Sequence, residues 1–193
     1  MARIGLHIPH AGTNRAGAPM NARGSGKEAL MANKSNFTNE EWKKLLEAPL
    51  LAGFAVSAGD PSGFIGTLQE GMASAKALAA AKANPGADEL IKAVVDDLLT
   101  PEGRTAAREG VRTLVQGAKL DELKTRALNE LAGTAQILAA KAPGDAGPFK
   151  AWLREMANLV AEAGTEGGIL GFGGVKVSDA ERATLAEIDK TLA

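Results

Sequence analysis

The sequence has 193 residues, a net charge of −1 and 45% hydrophobic residues, a balance that fits one domain with a sizeable core and excludes a disordered chain. It contains no cysteine, which excludes disulfides, thiolate catalysis and cysteine-based metal sites. No run of about 18 uncharged apolar residues occurs, so a membrane-spanning helix is not expected. With no tyrosine and few other aromatic residues, the core must consist mainly of Ala, Leu and Val, which favours closely packed helices.

The first segment, residues 1–36, differs from the rest of the chain. It carries five basic residues and one acidic residue, with scattered Gly, Pro and Asn and no helical or strand period. We expect a disordered basic tail, or a segment that is not native with Met31 as an alternative start, followed by one helical domain over residues 37–193. His7 and His10 lie in this tail; Pro9 prevents a helical arrangement and no third ligand is apparent, so no metal site is predicted.

The helical body begins with a capping box formed by Thr38 and Glu41, followed by apolar residues at helical spacing as far as Ala58. Pro49 is expected to kink this first helix or to divide it in two. A second helix is predicted over residues 62–83. Its small side chains recur every four residues, which would let another backbone approach closely; they are Gly63, Thr67, Gly71, Ala75, Ala79 and Ala83.

Five further helices follow in the prediction, over residues 87–99, 101–116, 120–141, 148–163 and 179–192. Thr100 followed by Pro101 is a strong helix start, and Gly117 is the predicted stop of that helix. Ser178 and Glu181 form a second capping box. The sequence therefore predicts an all-α fold, a compact bundle of about seven helices joined by short turns.

One motif, A-G-x-x-x-G followed by two large apolar residues and Gly, occurs at residues 58–66 and again at 163–171. Gly59 and Gly164 are predicted to end their helices in the left-handed conformation. The repeat has two interpretations: a duplicated helical unit with weak pseudo-twofold symmetry, or the same helix-stop chemistry used twice. We favour the second, because the segments before and after the two copies differ.

The second copy continues into a glycine-rich loop, residues 164–178, that precedes the last helix. Backbone amides of such loops can bind anions, so the candidate ligand-binding residues are Gly173, Gly174, Lys176 and Ser178, joined by Arg104 and Arg108. No phosphate-loop or dinucleotide signature accompanies them. The apolar tip, Ile169, Leu170 and Phe172, is expected to tuck under the bundle or to face a partner or a membrane surface.

The stretch VKVSDAERATLAEI, residues 175–188, resembles the loop-to-helix region of tellurite-resistance (TerB-like) helical proteins, in which an acidic loop precedes V-S-x-x-E. Gly173, Gly174 and Lys176 occupy positions that are acidic in that family. The resemblance therefore does not imply a metal site here.

The chemistry available after residue 36 is limited, because this part of the chain contains no His, Cys or Tyr. The common general bases and nucleophiles are missing, and the adjacent Asp96 and Asp97 diverge on a helix. Arg104, Arg108 and Arg112 form a basic row that is expected to pair with Glu109 and with acids of neighbouring helices.

The predicted function is that of a non-catalytic helical protein of the bacterial cytoplasmic type, without cofactor, acting through a protein partner or self-association. The 17 basic and 22 acidic residues after residue 36 argue against nucleic-acid binding. One alternative is an anion-binding or small-ligand-binding protein, or an enzyme, that uses the glycine-rich loop. The other is a peripheral membrane protein.

Overall fold

A computed structural model describes residues 32–59, 78, 80, 83, 87–166 and 177–193. This part of the chain contains no strand, and the all-α prediction is confirmed. Residues 78, 80 and 83 are helical, but the rest of the predicted second helix lies outside the described residues. A 3-10 helix, Lys34–Asn36, precedes six α-helices: α1 Asn39–Gly59, α2 Glu89–Leu98, α3 Pro101–Val115, α4 Leu120–Lys141, α5 Ala146–Glu166 and α6 Asp179–Thr191.

The helix starts follow the predicted capping chemistry. The backbone N–H of Thr38 donates to Oε2 of Glu41 at 2.8 Å, and the N–H of Glu41 donates to Oγ1 of Thr38 at 3.2 Å. Ser178 and Glu181 form the same reciprocal pair at 2.7 and 3.1 Å. Thr100 Oγ1 accepts the N–H of Gly103 at 3.0 Å. Each pair satisfies amide donors that have no partner inside the helix, so these local sequences fix where α1, α3 and α6 begin.

Helix α1 ends at Gly59 as predicted, but the left-handed conformation predicted for Gly59 and the helix end predicted at Gly164 are wrong. Gly59 is the last residue of α1, but among the described glycines only Gly117 has a positive φ, of 67°. Gly164 lies inside α5, which continues to Glu166. Gly59 instead provides room for another helix, because a Cβ at this position would overlap the side chain of Thr184 in α6. The later residues of both motif copies lie outside the described part of the chain.

Pro49 does not divide α1, which is continuous from Asn39 to Gly59. Proline removes one backbone hydrogen bond, at a cost of about 3 kcal/mol in an isolated helix interior. Here Pro49 is buried, and the helix around it buries Leu45, Leu46 and Leu51. Burial of several large apolar side chains outweighs a loss of this size, since each contributes about 1.5–3 kcal/mol.

The core is built around α1, which packs against each of the other five helices. Three of its alanines, Ala48, Ala52 and Ala55, have no exposed surface and allow the close approach that the composition predicts. The largest fully buried side chains come from α1, α2, α4, α5 and α6, and include Leu90, Phe149, Leu131, Leu138, Leu153, Met156 and Ile188. Among the described residues, no helix is long and apolar enough to cross a bilayer.

The last residues of the predicted tail belong to this body. Ala32 is only 4% exposed, and its N–H donates to Oδ2 of Asp145 at 3.0 Å. Lys34 Nζ donates to Oδ2 of Asp97 at 2.7 Å and lies 5.6 Å from the ring centre of Trp42. The packed chain therefore extends at least five residues before the predicted start at Phe37. Residues 1–31, including His7 and His10, lie outside the described residues.

Candidate functional site

The most unusual charged surface lies on α3, a helix at the edge of the bundle. Its fully buried residues are Gly103 and Ala107 alone. Arg104, Arg108 and Arg112 are all exposed. Residues four apart share one side of a helix, about 6 Å apart along the axis, so the three guanidinium groups form one row. We call Arg104, Arg108 and Arg112 the Arg face.

None of these three arginines forms an ion pair with a described residue. The predicted pairing with Glu109 is therefore wrong, and within the described residues the acids of neighbouring helices form no ion pair with the Arg face either. Glu109 is three residues before Arg112 and lies beside the Arg face, but its side chain lines the groove beside α3, and no residue of the Arg face lines that groove. Most other described basic side chains do have acidic partners; they are Lys34, Lys43, Lys44, Lys92, Lys124, Arg126, Lys141, Arg154 and Arg182.

Lys119, an exposed residue just after α3, also lacks an ion pair within the described chain, as do Lys150 and Lys190 elsewhere. Lys150 donates instead to the backbone oxygen of Ala193 at 3.0 Å. Unpaired positive charge is thus concentrated on α3 and its following turn. Like charges four residues apart on a helix destabilise it by about 0.2–0.5 kcal/mol per pair, and the Arg face contains two such pairs.

The groove beside α3 has a volume of about 570 Å³ and lies between α1, α3 and α4. Its charged residues largely neutralise one another: Lys44 Nζ lies 2.5 Å from Oε2 of Glu130, and Lys43 Nζ lies 3.5 Å from Oε1 of Glu40. Arg126 bonds Glu122 at 2.9 Å and the backbone oxygen of Leu114 at 3.2 Å. Among the residues described, no His, Cys or Ser lines this groove; its polar lining consists of Lys, Glu, Arg, Asn and Thr side chains.

Glu47 is the exceptional residue in this groove. Burial raises the pKa of its carboxyl, the positive charge of Lys44 opposes that rise, and the negative charge of Glu130 adds to it. Its side chain lies directly over Gly110, where any Cβ would overlap it. Glycine at this position lets α1 approach α3 closely, which accounts for Gly110 within a helix.

A second acidic feature is a pair of aspartates, Asp88 and Asp145, which precede α2 and α5. Asp145 is 4% exposed, and its carboxyl lies close enough to that of Asp88 to interact with it electrostatically. Burial raises the pKa of Asp88, and the negative charge of Asp145 raises it further. Asp88 also caps α2 by accepting the N–H of Leu90 at 2.9 Å. The pair is 57 residues apart in sequence, and no local pattern indicated it.

Of the predicted site residues, the structure describes only Ser178, Arg104 and Arg108. Gly173, Gly174 and Lys176 lie outside the described residues, as do Ile169, Leu170 and Phe172. Ser178 caps α6, which packs against α1, α4 and α5, whereas α3 packs against α1, α2 and α4. Within the described ranges, no group of three or more His, Asp or Glu side chains is arranged to hold a metal ion.

Comparisons with family models, with curated proteins and with solved structures find no match to this chain. The resemblance of residues 175–188 to TerB-like proteins therefore has no support from overall similarity.

Proposed function

We propose that this chain is a cytoplasmic, non-catalytic protein-interaction module whose Arg face binds an acidic segment of another protein. The observation that carries the proposal is the row of three exposed arginines without an acidic partner among the described residues. Arginine suits such contacts because its planar guanidinium can form two parallel hydrogen bonds to one carboxylate.

The energetics of α3 support this proposal. Arg104, Arg108 and Arg112 give α3 two like-charge pairs at four-residue spacing, and no ion pair within the described chain offsets them, although acids pair with nine basic residues elsewhere. Carboxylates from a partner would remove this repulsion on binding. Their contribution to the binding free energy would therefore be larger than at a surface without such repulsion. An unpaired charged row is therefore better explained by an external partner than by stabilisation of the fold.

An acidic protein segment fits the Arg face better than a nucleic acid does. A nucleic acid continues its negative charge well beyond three contacts, and the chain as a whole has a net charge of −1. Glu102 and Glu109 on the same helix would repel phosphates that extend past the Arg face. A short segment carries its negative charge over only a few residues, so the rest of its length can be neutral where it passes Glu109, three residues before Arg112.

The test is fluorescence anisotropy of the full chain with a labelled oligoglutamate peptide of about ten residues, at low and at physiological salt. We expect saturable binding that weakens with salt, and about tenfold weaker binding by the double variant R104E/R108E, since each surface ion pair contributes about 0.2–1 kcal/mol and reversal adds repulsion. The matched control is K150E/K190E, which changes the net charge equally on other helices and should bind like the parent.

Three results would overturn the proposal. One is an absence of peptide binding. Another is a loss of peptide affinity in the control variant K150E/K190E equal to the loss in R104E/R108E. The third is tighter Arg-face binding of single-stranded DNA or of anionic vesicles than of the peptide, which would assign the surface to a different class of partner.

A further inference from the structure

The groove between α1, α3 and α4 carries more negative charge than its own cations neutralise. Four carboxylates and three cations line it. Each cation already has an acidic partner; the pairs are Lys43 with Glu40, Lys44 with Glu130, and Arg126 with Glu122, which lies outside the lining. Two lining carboxylates, those of Glu47 and Glu109, therefore have no ion pair among the described residues.

We propose that this groove binds a small aliphatic amine, whose positive charge pairs with Glu47 and Glu109. The Glu47 side chain is half-buried and lies over Gly110, where α1 approaches α3. Burial raises the pKa of its carboxyl, because the surrounding protein groups do not fully compensate the removal of this charge from water. An ammonium group in the groove supplies that compensation.

The rest of the lining suits the aliphatic part of such a ligand. Leu51, Ala106 and Leu114 line the same groove and offer apolar surface to methylene groups. The hydroxyl of Thr113 donates to the backbone oxygen of Glu109 at 2.9 Å, so its own oxygen can accept a hydrogen bond from an ammonium. The groove volume of about 570 Å³ lies within the range of small-ligand pockets, about 300–1,000 Å³.

Metal ions and anions match this lining less well. Ca²⁺ and Mg²⁺ take about six or more oxygen ligands, and in the described ranges no group of three or more His, Asp or Glu side chains is arranged to hold a metal ion. An anion would have to displace Glu40, Glu122 or Glu130 from its basic partner. An aliphatic amine requires neither arrangement. No residue of the Arg face lines the groove, so this site is separate from the proposed surface for an acidic partner.

The experiment measures the affinity of the full chain for four probes by isothermal titration calorimetry. Diaminopentane, pentanediol and glutarate share the same carbon chain and differ in charge, and N-acetyl-lysine amide represents a lysine side chain of a partner protein. Glu47→Gln removes the charge and keeps the shape of the side chain. Glu109→Gln makes the same change at an exposed position, and Glu155→Gln, exposed on α5, is the control that removes one negative charge elsewhere. Circular dichroism verifies the fold of each variant.

We expect saturable binding of diaminopentane, about tenfold weaker in Glu47→Gln, about threefold weaker in the more exposed Glu109→Gln, and unchanged in Glu155→Gln. Should Glu47→Gln fail to fold, the difference between Glu109→Gln and Glu155→Gln decides in its place.

An absence of diaminopentane binding, or an unchanged affinity in either groove variant, would overturn the proposal. An equal loss in Glu155→Gln would also overturn it, because the amine would then respond to the acidity of the whole chain. Tighter binding of glutarate or pentanediol would exclude an amine site. Binding of N-acetyl-lysine amide as tightly as diaminopentane would overturn the assignment to a free amine in favour of a lysine side chain.

Discussion

The indole N–H of Trp42 donates a 2.7 Å hydrogen bond to Oδ2 of Asp97, and the same oxygen accepts from Lys34 Nζ at 2.7 Å. Trp42 is 3% exposed, so its N–H is satisfied within the protein and not by bulk water. This carboxylate thereby connects α1, the C-terminal end of α2 and the 3-10 helix. Thr100 adds a hydroxyl contact to the Asp97 backbone oxygen at 2.7 Å.

The first prediction concerns loss of this carboxylate. Asp97→Ala leaves the buried indole N–H without an acceptor and should lower the free energy of unfolding by about 1–3 kcal/mol. Urea unfolding followed by circular dichroism measures the change. The control is Glu155→Ala, an exposed position in the middle of α5, which should change stability by less than about 0.5 kcal/mol. Equal effects of the two substitutions would contradict the role assigned to Asp97.

The second prediction concerns the loss of stability at acid pH. Burial by itself raises the pKa of Asp97, but hydrogen bonds from Lys34 and Trp42 outweigh it and lower the pKa. A carboxyl whose pKa is lower when folded stabilises the fold above its unfolded pKa of about 3.9, and this stabilisation disappears as the pH falls through the folded pKa. The stability difference between the parent and Asp97→Asn should therefore shrink below about pH 4. A difference that stays constant from pH 7 to pH 2 would exclude this linkage.

The third prediction concerns Asp88, where the dependence of stability on pH has the opposite sign. Its pKa is raised by burial and by Asp145, so its favourable contribution is present at low pH and is lost as the pH rises through the folded pKa. Asp88→Asn keeps a cap for α2, because Asn and Asp are similarly effective there, and removes the repulsion. The variant should melt higher than the parent at pH 7, with little difference near pH 3. Asp121→Asn, an exposed substitution in the first turn of α4, controls for the loss of one negative charge. A similar rise in melting temperature in this variant would contradict the interaction between Asp88 and Asp145.

The fourth prediction ranks the effects of alanine substitution at three helical glycines on the free energy of unfolding. A Cβ at Gly103 would overlap the backbone of Asp97, which cannot move without disturbing α2, so Gly103→Ala should destabilise by at least about 1 kcal/mol. At Gly110 a Cβ meets only the movable end of Glu47, and the higher helix propensity of Ala should offset most of the cost. Gly133 has no atom within 4 Å of a new Cβ, so Gly133→Ala should stabilise by about 0.5–1 kcal/mol. Thermal and urea melts should give this order, and a different order would contradict the described packing.

The fifth prediction compares two deletions. A chain starting at Met31 keeps the Ala32–Asp145 and Lys34–Asp97 contacts, whereas a chain starting at Phe37 loses both. The shorter chain should therefore have the lower melting temperature, by several degrees for a loss of about 1–2 kcal/mol. Identical melting temperatures would show that residues 31–36 do not contribute to stability.

Local sequence signals predicted much of the fold. The start and end of α4 match the prediction at Leu120 and Lys141, and Gly117 ends the preceding helix with positive φ as expected. These features depend on residues close together in the chain, where capping and hydrogen bonding decide the outcome. Gly164 shows the limit of such signals, since a glycine that can end a helix does not have to do so.

The candidate site was less predictable. The row of arginines is visible in the sequence, but whether Arg104 and Arg108 find acidic partners depends on which helix lies beside α3. The Asp88–Asp145 pair and the contact of Glu47 with Gly110 join residues more than 50 positions apart. A single sequence carries no information on such distant contacts.

The central position of α1 has a consequence for synthesis on the ribosome. Its main packing partners, α4, α5 and α3, all lie at least 40 residues downstream. Among the described helices, those that enclose Trp42, Leu45 and Leu51 are therefore synthesised late, and nascent α1 lacks these partners until most of the chain has emerged. Chaperone engagement during translation should accordingly concentrate on the interval between the emergence of α1 and the emergence of α5.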